Sequence, residues 1–375
     1  MSAPGASGVS GASAGLAAYR PELRPRVLLS DPLLDGAATV HLIKDTGSGN
    51  SFKVGAKEHF LIARMDGERS LAEIGEEYAG EYGRRLGDAH WQQILTMLGT
   101  KGLLAGTPAP RVPVVADEPR TLLRGTLPLV ADADATTARL HRVFGFLLTP
   151  WAMVPLLVLI VAMEAAVASR TGELLIAVRE LFTNPVLLTG TAILLWLSTA
   201  LHELAHGVVA RHYGGQVAEI GLRWRLPVVI MYCTVDNYLY LARRRHRIAT
   251  AVAGAVMNLL FLLPFCGLWL FAPLDDATHE ALAALLLLGS VQAFAMLVPL
   301  PPLDGYRIAS QLAGATGLAA SAGGYLRLAL RRSPEASAYP RRARIAYPAY
   351  ALGTVLVLAA VVAAVVAGAH HLLTT

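Results

Sequence analysis

The chain has 375 residues, of which 54% are hydrophobic and only 16% charged, and its mean hydropathy is +0.49. That apolar content argues against an ordinary soluble protein. Its two cysteines, Cys233 and Cys266, lack metal-type spacing, which argues against a disulfide framework and a cysteine metal site. Residues 1–143 carry 16 Lys+Arg and 16 Asp+Glu, whereas residues 144–375 carry 16 Arg and 11 acids, so the whole excess of +5 lies in the apolar part. Such a distribution fits basic loops flanking membrane spans better than a nucleic-acid surface.

Residues 1–19 are small and flexible, with neither the charged start nor the apolar core of a secretory signal, and read as a disordered tail. Residues 20–105 read as a small α+β domain. VHLIKD (40–45) and SFKVG (51–55) are strand candidates around a Gly-Ser-Gly-Asn turn. AKEHFLIARM (56–65) is a helix candidate, and Ser70-Leu71-Ala72-Glu73 is a capping box opening a second helix to about Tyr82. Asp88 is placed to cap a third, with Trp91, Ile94, Leu95 and Leu98 on one face. Two strands and three short helices suggest a winged-helix-like module. Residues 106–142, rich in Pro, Ala and Asp, read as a linker.

Five apolar segments follow, at 143–169, 185–210, 248–272, 281–300 and 347–369, each near the 20 residues a hydrocarbon core requires. The fold class expected is therefore mainly α, a polytopic membrane helical bundle behind a small N-terminal domain. Residues 211–247 hold seven Arg and residues 304–345 seven more, while the loop around 273–280 has none. The positive-inside rule then places the protein in the cell membrane, with the N-terminal domain and both Arg-rich loops cytoplasmic and the C-terminus outside.

Within the second apolar segment stands His202-Glu203-Leu204-Ala205-His206. Histidines four apart share a helix face and can aim ring nitrogens at one ion. Glu203, one residue round, is placed as general base toward water on that ion. The competing reading is a pair of interfacial histidines and a structural carboxylate, but ionisable groups inside a span are costly and usually functional. Catalytic zinc takes a third protein ligand. Its candidate is Asp304 in MLVPLPPLDGY (296–306), where three prolines stop the fourth span; alone, Asp304 would be an ordinary turn residue. His202 precedes Arg211 by nine residues, about 13 Å of helix, and Asn258 follows Arg247 by eleven, about 16 Å, so both reach similar depths from one side. Asn258 suits two roles equally, a donor toward a scissile carbonyl or glue between helices.

Together, HELAH, the element Ala253-Gly254…Asn258 and P-x-PPLDG resemble the site-2 protease family of intramembrane zinc metalloproteases, from about residue 195 to residue 305. The resemblance implies one zinc held by His202, His206 and Asp304, Glu203 as catalytic base, and cleavage of a membrane-associated peptide or precursor protein. Ala255 stands where the family often has proline, and Met296 where it often has asparagine. The N-terminal domain is similar to the PqqD-like fold, which binds leader peptides of ribosomally made, modified peptides. That similarity rests on VHLIKD, SFKVGAKEHFLIARMDGERSLAEI and LGTKGLL. The combination resembles bacterial peptide zinc metalloproteases. With 11 Lys+Arg against 12 Asp+Glu, residues 20–105 present no basic face for DNA, and no nucleic-acid partner is expected. Residues 219–233 suggest a hairpin whose edge could receive an extended substrate; simple packing of Trp224 and Tyr232 at the membrane surface is the other reading. The alternative function is a non-enzymatic, membrane-anchored leader-peptide binding or export accessory protein. A metal transporter is weaker, since Glu164 is isolated among the spans.

Overall fold

A computed structural model describes residues 15–107, 121–226 and 228–374, which fall into two compact units, Met1–Ala116 and Asp117–Thr375. In the first unit the eight-residue strand β3 (Ala38–Asp45) pairs antiparallel with three others, β1 (Val27–Leu29), β2 (Leu33–Asp35) and β4 (Ser51–Gly55). The sheet thus has two strands more than the pattern suggested. β1 and β2 are three residues each, too short for alternation to register. Helices α1 (Ala56–Ile62), α2 (Leu71–Tyr82) and α3 (Asp88–Thr100) follow. They bury Leu61, Ile62, Leu71, Ile74 and Leu98 in one core with Ile43. Ser70 and Glu73 form the capping box in both directions, and Gly83 ends α2 in the left-handed conformation. Asp88 does not cap α3; Gly87 takes the cap position, without a side-chain bond, and Asp88 is the first helical residue, where its charge still meets the helix dipole. The tail expected over residues 1–19 ends in a helical turn at 15–18 with Leu16 packed on the core; its first 14 residues lie outside the described residues.

In the second unit the stretch read as a linker carries two elements. Strand β5 (Arg124–Pro128) pairs with β6 (Val217–Arg225), which pairs with β7 (Val228–Val235), giving an antiparallel sheet in the order β5-β6-β7. Helix α4 (Ala133–Phe144) opens on an Asp132 cap and buries Ala133 and Thr137. It is tied down by Asp134, which accepts twice from Arg211, at 3.0 and 2.8 Å, and from the Val217 N–H at 3.2 Å. The pairing of β5 with β6 satisfies backbone groups that a free linker would leave to water.

Among the described residues five helices are long and apolar enough to cross a membrane, and they run Pro150–Ser169 (α5), Pro185–His212 (α7), Arg244–Phe271 (α8), Asp276–Ala295 (α9) and Arg341–Thr374 (α12). That is compatible with a multi-pass membrane protein. Between α5 and α7 lies the shorter α6 (Thr171–Leu181). α8 is the most buried of the five and α12 the most exposed. On α8, Leu262 packs among Leu174, Leu285 and Leu286, all essentially inaccessible. The first span starts later than expected because Val143 and Phe144 finish α4 and a short 3-10 turn, Gly145–Leu148, intervenes. The fourth ends at Ala295, before the prolines, and α10 (Asp304–Ala313) and α11 (Leu318–Leu330) follow.

Candidate metal centre

His202 and His206 lie one turn apart on α7, both buried, with their rings edge to face at 4.8 Å. Asp304 reaches them as the first residue of α10, not as a turn residue. The loop before it holds a cis Pro301–Pro302 peptide and is fixed at two points. Tyr350 on α12 donates its hydroxyl to the Pro299 carbonyl at 2.9 Å, and the Gly305 N–H donates to the Met296 carbonyl at 2.9 Å. A Cβ on Gly305 would collide with the Leu297 carbonyl, so only glycine lets the chain fold back this closely after Asp304.

The three ligand-type atoms form a nearly equilateral triangle. His202 Nε2 lies 3.0 Å and His206 Nε2 3.1 Å from Asp304 Oδ2, and the two nitrogens are 3.2 Å apart. Ligands of a tetrahedral zinc at 2.0–2.1 Å are about 3.3 Å from one another, so the triangle has the size of one zinc face. The protonation pattern fits as well. His206 Nδ1 lies 2.7 Å from the Thr250 carbonyl, which can only accept, so the ring proton sits on Nδ1 and a neutral ring turns its Nε2 lone pair into the triangle. Arg307 Nη1 donates to Asp304 Oδ1 at 3.0 Å, leaving Oδ2 to the histidines. His202 Nδ1 is buried with no protein partner among the described residues. Its ring lies against the backbone of α8 at Gly254, where any Cβ would overlap it. That contact gives the Ala253-Gly254 pair a physical role: glycine admits the ligand ring.

Glu203 faces the same cavity of about 560 Å³ as the triangle. Its Oε2 accepts from the Cys233 N–H of β7 at 3.1 Å. Because β6 occupies the other edge of β7, that N–H points out of the sheet toward α7. The Cys233 thiol is pushed up to about 12 by burial and by the Glu203 carboxylate beside it, so it stays protonated. Asn258 also lines the cavity, and its Oδ1 accepts from Ser198 Oγ on α7 at 3.0 Å. It therefore joins two helices and borders the site at once. Sequence reasoning missed Gln292, whose Nε2 donates to Thr199 Oγ1 at 2.7 Å on the cavity wall. A polar amide within an apolar span was the available signal. Tyr238 was missed too; its hydroxyl donates to the Arg247 carbonyl at 3.0 Å and is pushed up to about 12 by burial.

One curated relative, "Putative zinc metalloprotease YwhC" of Bacillus subtilis (strain 168), is 29% identical over 154 residues, covering 32% of this chain and 67% of the relative. The similarity supports a metalloprotease and suggests zinc, with which the cluster of His202, His206 and Asp304 is compatible. No family model and no solved structure matches the chain.

Proposed function

We propose that the protein is a membrane-embedded zinc endopeptidase of the site-2 protease type, with one zinc per chain held by His202, His206 and Asp304. The observation that carries this reading is the triangle itself, three buried donors of zinc size whose His206 proton is already committed to the Thr250 carbonyl. A zinc ion held there would polarise a peptide carbonyl and make a neighbouring water more acidic. Glu203, its Oε2 anchored by the Cys233 N–H, offers Oε1 to take that water's proton and pass it to the leaving amine nitrogen. Asn258 is suited to orient the carbonyl under attack.

The substrate is a membrane-associated peptide or precursor. Among the described residues β7 pairs only with β6, and strand alternation puts the N–H and C=O of Met231 on the same edge as the Cys233 N–H. An extended substrate added there would present its backbone to Glu203 without helical hydrogen bonds to break. In the first unit, Phe52 and Val54 of the edge strand β4, Met97 of α3 and Lys101 just after it line a groove of about 300 Å³. We assign it a PqqD-like role, receiving a leader peptide on the cytoplasmic side, with the C-terminus of the chain outside. The same groove favours a second reading, a leader-binding or export accessory protein without hydrolysis.

Zinc content decides between them. Purified protein in detergent should hold one zinc per chain, lost in both His202→Ala and Asp304→Ala. Folded wild-type protein without zinc would leave only the accessory reading.

A further inference from the structure

The cavity that holds the triangle also holds two guanidinium groups, Arg223 and Arg307. Arg307 is engaged by Asp304. Arg223 is different: it is exposed, it has no carboxylate partner among the described residues, and its guanidinium stands over the Tyr232 ring, 4.7 Å from the centroid. The nearest acid on its strand face, Glu219, already accepts the Tyr232 hydroxyl at 2.6 Å. The four charged groups lining the cavity, Glu203, Asp304, Arg223 and Arg307, balance one another. A divalent ion on the triangle then leaves the cavity with an excess of two positive charges, inside walls that screen poorly.

Position along the sheet gives this charge a meaning. Arg223 pairs with Ile230 and its guanidinium reaches to Tyr232, while Cys233, the next residue, anchors Glu203. The Arg223 guanidinium therefore lies between one and three residues from the level of Glu203, about 3–10 Å along the strand. We propose that Arg223 is a specificity-determining residue that selects peptides carrying a carboxylate side chain one to three residues from the bond cleaved. This rests on the peptidase reading above. Because side chains of an added strand alternate between faces, the preference falls on alternate substrate positions and not on neighbouring ones.

The test is cleavage-site mapping by mass spectrometry after incubating zinc-loaded protein in detergent with a proteome-derived peptide library. Wild type should enrich Asp and Glu roughly fivefold at one such position, the size of a single partly screened ion pair. Arg223→Glu should lose that enrichment and favour Lys and Arg at the same position. Arg223→Gln should show neither preference. Zinc per chain, measured on all three proteins, confirms that each carries an intact centre. Cutting without an acidic preference, or an unchanged preference in Arg223→Glu, overturns the assignment and leaves the peptidase reading standing. No cutting by zinc-loaded wild type overturns both.

Discussion

Gly254→Ala is the smallest change that should disable the metal centre from outside its ligand set. The added methyl would sit 2.4–2.6 Å from Nε2, Cε1 and Cδ2 of His202 together, well inside van der Waals contact. Those atoms belong to a buried ring held at 3.0 Å from Asp304 and 3.2 Å from His206, so it has no free end to swing away. Overpacking of this kind costs about 1–3 kcal/mol, against the roughly 0.8–1 kcal/mol by which alanine favours a helix over glycine. Displacing a ligand ring also weakens metal binding, by about 10- to 100-fold where an outer-shell contact is lost. The control sits on the same helix: nothing lies within 4 Å of a Cβ on Gly267, so Gly267→Ala gains propensity without a collision. The assay is zinc affinity by competition with a chelator, alongside thermal unfolding in detergent. Gly254→Ala should lose zinc at least tenfold more readily and Gly267→Ala should match wild type. Equal affinity in both variants would refute the claim that His202 is seated by the absence of a side chain at 254.

Glu203→Gln should keep one zinc per chain and lower peptide cleavage by about 10²- to 10⁴-fold, the range for removing a general base; retained cleavage would sink the mechanism. Cys233, with its thiol near 12 against the usual 9.0, should react with iodoacetamide at pH 8 at least tenfold more slowly in the folded protein than after denaturation, as peptide mapping would show. The same shift has a sign for stability. Between pH 9 and 12 the unfolded thiol releases its proton and the folded one keeps it, so stability falls as pH rises through that window, and a Cys233→Ser variant should lose this slope in denaturation curves. Asp134→Ala should lower thermal stability by about 1 kcal/mol, since the Arg211 pair is partly exposed and only the Val217 N–H loses a shielded acceptor; no change would mean α4 is held by its apolar face alone.

The parts of the site legible in the sequence were those written in side-chain identity. His202, Glu203 and His206 announce themselves by spacing, and Asp304 by the prolines that stop a span before it. What stayed hidden is written in backbone atoms. The Thr250 carbonyl that fixes the His206 proton and the Cys233 N–H that anchors Glu203 could belong to any residue type, so no pattern marks them. The role of Gly254 is likewise a matter of two helices approaching, invisible until both are placed. Helix α4 was obscured by composition, its Ala-Asp-Ala-Thr-Thr run resembling a linker. Asp132 as cap, Asp134 in the first turn and His141 and Arg142 in the last were the signals that it is a helix. The two short strands of the first unit had no comparable signal, because three residues cannot display a period.

The donors of the triangle are supplied at very different times in the life of the chain. His206 and Asp304 are 98 residues apart. At synthesis rates of about 5–20 residues per second, the ribosome reaches Asp304 roughly 5–20 seconds after the HELAH helix has been made. During that interval Glu203 exists beside two histidines and no third ligand. On the proposed zinc reading, a nascent chain therefore has its general base before the third donor of the triangle is made, and it stays without a complete metal site until α10 has been synthesised.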